Sequence, residues 1–156
     1  MKPSVRKQIG VIGAGNCSSE TRALAEAVGR EIAKKGAVLL CGGLGGVMEA
    51  AACGAKLEGG TTIGILPGTC REDANPWIDM AILSGMGHAR NALIAQSSDA
   101  LIAVSGEYGT LSEIALGLKM GKPVFVLDCK WEIEGIQRVK SPQEAVECVL
   151  VLIGDR

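Results

Sequence analysis

The chain has 156 residues and one formal negative charge, and 47% of its residues are hydrophobic while 21% are charged. This length and composition predict a single folded domain over residues 1–156 and exclude a disordered chain. The balance of 16 Lys and Arg against 17 Asp and Glu, with two Trp, one Tyr and one Phe, predicts no nucleic-acid or membrane partner.

Short apolar segments alternate with helix-like segments along the chain. In chain order, the sequence predicts a strand at 8–14, a helix at 20–35, a strand at 38–41, a helix at 47–58, a strand at 61–66, a polar loop at 70–77, a strand at 78–83, a helix at 87–97, a strand at 100–104, a helix at 110–120 and a strand at 124–127. A final helix begins at Ser141, where Pro142 and Glu144 complete the pattern of a capping box. This alternation predicts an α/β fold with a parallel sheet covered by helices on both faces.

Six cysteines raise the question of disulfides or a zinc site. No two of them have the C-x-x-C spacing and His88 is the single histidine, so we expect free thiols and no metal site. The first eight residues lack the apolar core of a secretory signal, and the apolar stretch at 148–153 is too short to span a bilayer. We therefore expect a soluble, cytoplasmic protein.

Three glycine-rich loops follow predicted strands, at residues 13–19, 42–46 and 105–110. Right-handed crossovers place such loops at one edge of a parallel sheet, and glycine there lets backbone N–H groups approach an anion. The positive end of the following helix adds to the attraction, so these loops predict a phosphate site. The alternative is that the glycines merely permit tight turns.

Two well-known nucleotide motifs do not fit these loops. Ser18 occupies the third glycine position of the dinucleotide fingerprint and no acidic residue ends the second strand, which argues against an ordinary NAD site. The segment 117–122 is one residue too short for the phosphate loop of ATP-hydrolysing enzymes, and Pro123 takes the place of its hydroxyl residue.

Charged residues beside the predicted loops allow a functional and a plainer interpretation. Arg90 lies in the first turn of a predicted helix, where it either clamps a phosphate or carboxylate or is a solvated or salt-bridged side chain. Thr110 and Glu113 match a capping box, in which Glu113 bonds back to the Thr110 N–H; alternatively, Glu113 faces a sugar. A lone histidine such as His88 more often caps or packs than catalyses.

The segments at 11–19, 40–51, 63–67, 87–90 and 105–113 together resemble, in this order, the LOG-type superfamily. That superfamily includes the cytokinin-activating phosphoribohydrolases, long mislabelled lysine decarboxylases. The short chain and the G-M-G-x-A-R-N pattern at 85–91 look closer to a bacterial branch related to molybdenum cofactor carrier proteins. The resemblance covers residues 8–127 and implies a Rossmann-like three-layer α/β/α sandwich with a mostly parallel sheet.

The resemblance also implies roles for individual residues. In the enzymes of the superfamily, P-G-G-x-G-T-x-x-E forms a phosphate loop and supplies a catalytic Glu, while M-x-x-R-K supplies a catalytic Arg. Matching these motifs makes Glu113 and Arg90 the catalytic candidates. The ligand-binding candidates from the loops and the matched motifs are Gly13, Gly15, Ser18, Gly42, Gly43, Gly45, Gly46, Met48, Gly106, Tyr108, Gly109 and Thr110.

This chain departs from both motifs of the enzymes. Ser105 and Glu107 replace the usual Pro and Gly, and Gly87 and Asn91 replace the usual Met and Lys. Losing the Lys removes a cation from the anion site, and Glu107 adds a negative charge to the phosphate loop. We therefore expect a binding or carrier protein for a phosphorylated nucleotide-like ligand, either a nucleoside monophosphate or a molybdopterin-type cofactor. The alternative is a phosphoribohydrolase that splits nucleoside 5′-monophosphates into base and ribose 5-phosphate.

Neither function requires a resident cofactor, so a bound nucleotide or molybdenum cofactor would be the ligand itself. We expect a homo-oligomer, a dimer or higher, since small α/β domains of this type often pair through helices. The small residues of the helix at 47–58 permit close packing, although that helix can equally pack on its own sheet. A lysine decarboxylase needs a Schiff-base lysine and a partner for the pyridinium nitrogen, and no local pattern identifies either.

Overall fold

Seven parallel strands form one sheet in the computed structural model, which describes residues 4–154. The strands are β1 (Gln8–Ile12), β2 (Val38–Cys41), β3 (Thr61–Leu66), β4 (Met80–Leu83), β5 (Ala100–Val104), β6 (Val124–Leu127) and β7 (Gln137–Arg138). Their order across the sheet is β4-β3-β2-β1-β5-β6-β7, and every neighbouring pair is parallel. The predicted parallel sheet is therefore confirmed.

Five α-helices cover the two faces of this sheet in the part of the chain that is described. They are α1 (Ser19–Lys34), α2 (Val47–Leu57), α3 (Asn91–Ser97), α4 (Tyr108–Lys119) and α5 (Pro142–Ile153). Along β5, Ile102 and Val104 belong to the core under α1, α2 and α5, whereas Leu101 and Ala103 belong to the core under α3 and α4. The predicted three-layer Rossmann-like sandwich is confirmed.

β1 is the strand at which the order of strand addition reverses. Gly10 of β1 is in register with Leu40 of β2 on one side and with Leu101 of β5 on the other. The chain builds outward from β1 to β4, then returns to β5 on the opposite side of β1. In open α/β sheets, a crevice for ligands lies outside the carboxyl ends of the strands at such a switch point.

Local sequence signals explain where two of the helices begin. The Ser18 hydroxyl accepts a hydrogen bond from the Thr21 N–H at 3.2 Å and so caps α1. The Ser141 hydroxyl accepts from the Glu144 N–H at 3.1 Å, and Pro142 stands in the first turn of α5. The predicted start of the final helix is confirmed.

Several element bounds differ from those predicted. β1 ends at Ile12 rather than at residue 14, and β4 begins at Met80 rather than at residue 78. The helix predicted at 87–97 divides into a 3₁₀ helix, Gly87–Arg90, followed by α3. α4 begins at Tyr108, two residues before the predicted start, and β7 was not predicted, since two exposed polar residues carry no apolar pattern.

α1 and α2 pack against each other with almost no space between their backbones. A Cβ atom on Gly29 would lie 1.9 Å from the Ala51 carbonyl oxygen, and a Cβ on Gly54 would lie 2.0 Å from the Glu26 carbonyl oxygen. The small residues of α2 therefore pack within this chain, against α1 and, as one of the two alternatives expected, on its own sheet, where Ala51 and Ala55 join the same core as Leu39 of β2. Within residues 4–154, none of the helices has the length and apolarity that a membrane span requires.

Candidate functional site

A cavity of about 440 Å³ lies at the carboxyl ends of β1 and β5. Its walls come from the loop after β1, the start of α2, the 3₁₀ helix before α3, and the first two turns of α4. This volume falls within the range of about 300–1,000 Å³ that is typical of small-molecule sites. The cavity occupies the switch point of the sheet, where parallel α/β folds bind their ligands.

Half of the site residues predicted from sequence line this cavity. Those that do are Gly13, Gly15, Met48, Arg90, Gly109, Thr110 and Glu113. Six of them come from the three glycine-rich segments or the helices that follow these, and Arg90 comes from the 3₁₀ helix before α3. The topology therefore brings the predicted segments to one place. Whether these residues bind or transform a ligand stays a prediction.

The remaining predicted residues lie outside the cavity lining, namely Ser18, Gly42, Gly43, Gly45, Gly46, Gly106 and Tyr108. Gly46 does not line the cavity but contacts the loop that does. Gly46 has a φ of +64°, and a Cβ there would lie 2.2 Å from the Ala14 carbonyl oxygen. The Val47 N–H donates to that same carbonyl at 3.0 Å. The loop after β2 therefore holds the cavity-lining loop after β1 by direct backbone contact.

Five cavity-lining residues were not among the predicted site residues: Ala14, Asn16, His88, Asn91 and Glu107. Ala14 and Asn16 stand between or beside predicted glycines, so their position in the loop was a usable signal. His88, Asn91 and Glu107 flank matched motif residues, but the sequence favours a capping or packing role for His88 and shows Asn91 and Glu107 only as departures from the motifs. Glu107 is exposed and contributes a carboxylate to the cavity wall.

Arg90 is the cation of the cavity, and only 8% of its surface is exposed. Its Nη1 donates to the Asn91 Oδ1, and its Nη2 reaches the Gly42 carbonyl oxygen at 3.5 Å. Its Nε is buried without a hydrogen-bond partner among the described residues. Burial lowers the pKa of Arg90, and the charges of Glu113 and Cys41 act against that shift. An arginine nevertheless stays charged at neutral pH, so an anion would satisfy this buried cation.

Glu113 lies in the second turn of α4 and is 7% exposed. Burial raises its pKa to about 8, although the positive charge of Arg90 acts in the opposite direction. Arg90 and Glu113 form no direct ion pair. The ion pairs among the described residues are made by Arg30, Lys34 and Lys56. Burial therefore favours the neutral Glu113 carboxyl, and a neutral carboxyl is a hydrogen-bond donor as well as an acceptor.

The capping interpretation of Thr110 is wrong. α4 begins at Tyr108 with Glu107 as its N-cap, so Thr110 lies inside the first turn. The Thr110 hydroxyl is buried, lines the cavity, and has no hydrogen-bond partner in the described part of the chain. The left-handed backbone of Ser105, with φ at +54°, and of Gly106, with φ at +133°, turns the chain into this helix start.

The cavity wall contains the kinds of group that bind anions in proteins. The first N–H groups of an α-helix have no partner within the helix, and the helix dipole places partial positive charge there. In α4 those groups belong to the turn that contributes Gly109 and Thr110 to the cavity wall. Arg90 lines the same cavity, so main-chain donors, a hydroxyl and a cation belong to one wall.

Several solved structures resemble this fold over nearly the whole chain. The molybdenum cofactor binding protein of the phototrophic bacterium Rippkaea orientalis has a TM-score of 0.92 and 37% identity, covering 97% of this chain and 99% of its own. The molybdenum cofactor carrier protein MCP of Chlamydomonas reinhardtii has a TM-score of 0.87 and 35% identity, covering 96% of this chain and 99% of its own.

Proteins similar in sequence and a family model indicate the superfamily of this chain. An uncharacterized protein of Archaeoglobus fulgidus is 55% identical over 139 residues, which are 89% of this chain and 91% of that protein. A probable cytokinin riboside 5′-monophosphate phosphoribohydrolase of Oryza sativa subsp. japonica is 33% identical over 106 residues, which are 64% of this chain but 47% of that protein. The model of the SLOG cluster4 family matches residues 6–151. The chain therefore belongs to the SLOG cluster4 family, within the LOG-type superfamily that its glycine-rich motifs indicated.

Proposed function

We propose that this protein binds and carries a phosphorylated nucleotide-like ligand in the cavity at the carboxyl ends of β1 and β5. One observation carries the proposal: two buried polar atoms without partners, Arg90 Nε and Thr110 Oγ1, belong to residues of the same cavity wall. A buried donor that stays unsatisfied costs about 1–3 kcal/mol, so native structures normally provide a partner. A phosphate oxygen accepts hydrogen bonds from N–H and O–H donors, so a phosphate bound beside these two groups would remove that cost.

The two molybdenum cofactor proteins that resemble this chain indicate which phosphorylated ligands to propose. Both are described as proteins that bind or carry the molybdenum cofactor, and both match this chain across its length. A molybdopterin-type cofactor joins a heterocycle to a phosphate, as a nucleoside monophosphate does. We therefore propose either of these as the cargo, with its phosphate at the first turn of α4 and beside Arg90. Arg90 and the α4 amides would hold the anion without any chemical step.

A phosphoribohydrolase is the second candidate, because Arg90 and Glu113 both line the cavity and both match the enzyme motifs. In that function, Glu113 would hold ribose hydroxyls or stabilise the developing oxocarbenium charge, and Arg90 would orient the nucleotide. Two departures from the enzyme motifs favour binding over cleavage: Asn91 replaces the usual Lys, which removes a cation from the site, and Glu107 adds a negative charge to the phosphate loop.

The test is to identify and measure the ligand directly. Native mass spectrometry of the purified protein should reveal a phosphorylated small molecule, and calorimetry should detect binding of 5′-AMP. Arg90→Ala should weaken 5′-AMP binding at least about tenfold, because a charge-assisted contact is lost. Arg22→Ala is the matched control, since Arg22 is an exposed arginine of α1 outside the cavity.

Cleavage is tested in parallel by incubating the protein with 5′-AMP and measuring adenine by chromatography. The carrier proposal expects bound, intact nucleotide. Adenine release that disappears in Glu113→Gln would overturn it in favour of the phosphoribohydrolase. If no nucleotide binds and no phosphorylated compound copurifies, both candidate functions are wrong. A single domain over residues 1–156, a cytoplasmic location and a homo-oligomeric state belong to this proposal as further predictions.

A further inference from the structure

A chain of hydrogen bonds connects Arg90 to the first turn of α4. The Arg90 Nη1 donates to Asn91 Oδ1, and the Asn91 Nδ2 donates to Ser112 Oγ at 3.3 Å. The Ser112 hydroxyl in turn donates to the Gly109 carbonyl oxygen at 2.7 Å. The side chain of Asn91 thus joins the cation of the cavity to the helix turn that carries its anion-binding N–H groups.

The chemistry of an amide suits this position. An asparagine side chain has an acceptor at one end and two donors at the other, so it can accept from a guanidinium and donate to a hydroxyl at once. Asn91 is 6% exposed, which means that water cannot readily replace either contact. A lysine here, as in the motif of the enzymes, has no acceptor and would leave the Arg90 Nη1 unpaired at this point.

We infer that Asn91 is a positioning residue that fixes the Arg90 guanidinium relative to the first turn of α4. This inference rests on the proposed function, because its purpose is to hold Arg90 where a phosphate at α4 would lie. Two contacts hold the guanidinium in place, one from Asn91 and a longer one from the Gly42 carbonyl oxygen. Removing Asn91 leaves Nη1 without an acceptor and frees the Arg90 side chain to move.

The first measurement does not depend on any ligand. In protein labelled with ¹⁵N-arginine, the Arg90 Nε–H signal is assigned by its loss in Arg90→Ala. Burial of Arg90 should make this signal distinct and slowly exchanging. Asn91→Ala should broaden or shift the signal. Asn91→Asp, which keeps an oxygen acceptor for Nη1, should retain a sharp signal. Ser97→Ala, an exposed serine of α3 outside the chain of contacts, is the control.

The second measurement is calorimetry with 5′-AMP as the probe. Asn91→Ala should weaken binding about tenfold in the otherwise natural protein, as expected for a hydrogen bond to a charged group. The same change should have almost no effect in the Arg90→Ala background, because a positioning residue acts through the residue that it holds. A purely structural defect would lower affinity equally in both backgrounds.

The outcomes separate this inference from the proposed function. An unchanged Arg90 signal in Asn91→Ala overturns the inference, whatever the affinity for 5′-AMP. A changed signal in a protein that binds no phosphorylated ligand supports the positioning contact but overturns the proposed function. If circular dichroism shows that Asn91→Ala does not fold, the same measurements are made on Ser112→Ala. This variant removes the acceptor of the Asn91 amide at an exposed residue.

Discussion

Gly42 leaves open the space that the Arg90 guanidinium occupies. A Cβ atom on Gly42 would lie 2.7 Å from Arg90 Nη2 and 2.6 Å from Met48 Sδ. Both atoms are near the ends of flexible side chains, so Gly42→Ala should displace Arg90 and Met48 while leaving the backbone in place. We expect binding of 5′-AMP to weaken at least about tenfold while the free energy of unfolding falls by no more than about 1–2 kcal/mol.

The matched control for Gly42→Ala is Gly68→Ala. A Cβ on Gly68 meets only Asp73 Oδ2, at 3.6 Å, and this glycine lies outside the cavity. Calorimetry and urea unfolding of the two variants separate an effect on the site from an effect on the fold. Equal 5′-AMP affinity in Gly42→Ala and the natural protein would show that the position of Arg90 does not matter for binding.

The order of elements could be predicted because strong local patterns define most of them. The bounds of β2, β3, β5 and β6 agree with those predicted, since each is an apolar segment between turn residues or helices. β7 carries no such pattern and pairs with β6 through backbone contacts that only the folded chain creates. The contact between α1 and α2 likewise depends on which faces meet, and the glycines alone do not reveal this.

The site was predicted as a set of loops but not as a set of contacts. Sequence placed Arg90 and Glu113 near one another through the resemblance, and the topology brings both to one cavity. The start of α4 was placed too late because Thr110 and Glu113 match a capping box. The left-handed backbone at Ser105 turns the chain earlier, and a non-glycine residue gives little warning of it. The role of Asn91 depends on contacts across 21 positions of sequence.

Glu113 should make stability depend on pH in a direction opposite to that of most acidic residues. Burial raises its pKa in the folded protein from 4.5 to about 8. Between these values the folded protein holds a proton that the unfolded chain has released, so the free energy of unfolding falls as pH rises. The contribution is fully present below about pH 4.5 and lost by about pH 8, with a slope of at most about 1.4 kcal/mol per pH unit.

Glu113→Gln provides the comparison, because an amide has no proton to lose in this range. Urea unfolding at intervals from pH 5 to pH 9 should show a loss of stability in the natural protein that is smaller in Glu113→Gln. Arg90, Cys41 and the cavity residues His88 and Glu107 face the same region and are unchanged in the comparison. Parallel curves for the two proteins would mean that Glu113 titrates as an ordinary carboxylate.

A variant of Tyr108 tests the heterocycle and the phosphate of the proposed ligand separately. It is 77% exposed at the start of α4, between the cavity residues Glu107 and Gly109, and its ring centre lies 5.8 Å from that of Trp131. Tyr108 is one of the ligand-binding candidates from sequence; if its ring stacks on the heterocycle of the ligand, Tyr108→Ala should weaken 5′-AMP binding about tenfold, since stacking on an aromatic ring contributes about 1–3 kcal/mol per base. Binding of inorganic phosphate should not change.

Phosphate therefore serves as the internal control for Tyr108→Ala, and Tyr108→Phe should restore 5′-AMP binding because it keeps the ring. Equal losses for phosphate and 5′-AMP would instead assign Tyr108 to the shape of the helix start. The exposure of Tyr108 leads us to expect less than about 1 kcal/mol of change in the free energy of unfolding.

Gly54 shows how strongly the α1–α2 contact limits the sequence. An alanine in an open helical position is better than glycine by about 1 kcal/mol. At Gly54 the added Cβ would meet the Glu26 carbonyl oxygen at 2.0 Å and the Arg30 backbone nitrogen at 3.1 Å, and neither backbone atom can rotate away. We expect Gly54→Ala to lower the free energy of unfolding by about 2–4 kcal/mol, measured by urea unfolding.

Gly109→Ala is the contrasting helical variant, because nothing lies within 4 Å of its added Cβ. It should be neutral or stabilising, and a similar loss in both variants would mean that helix contact is not the cause.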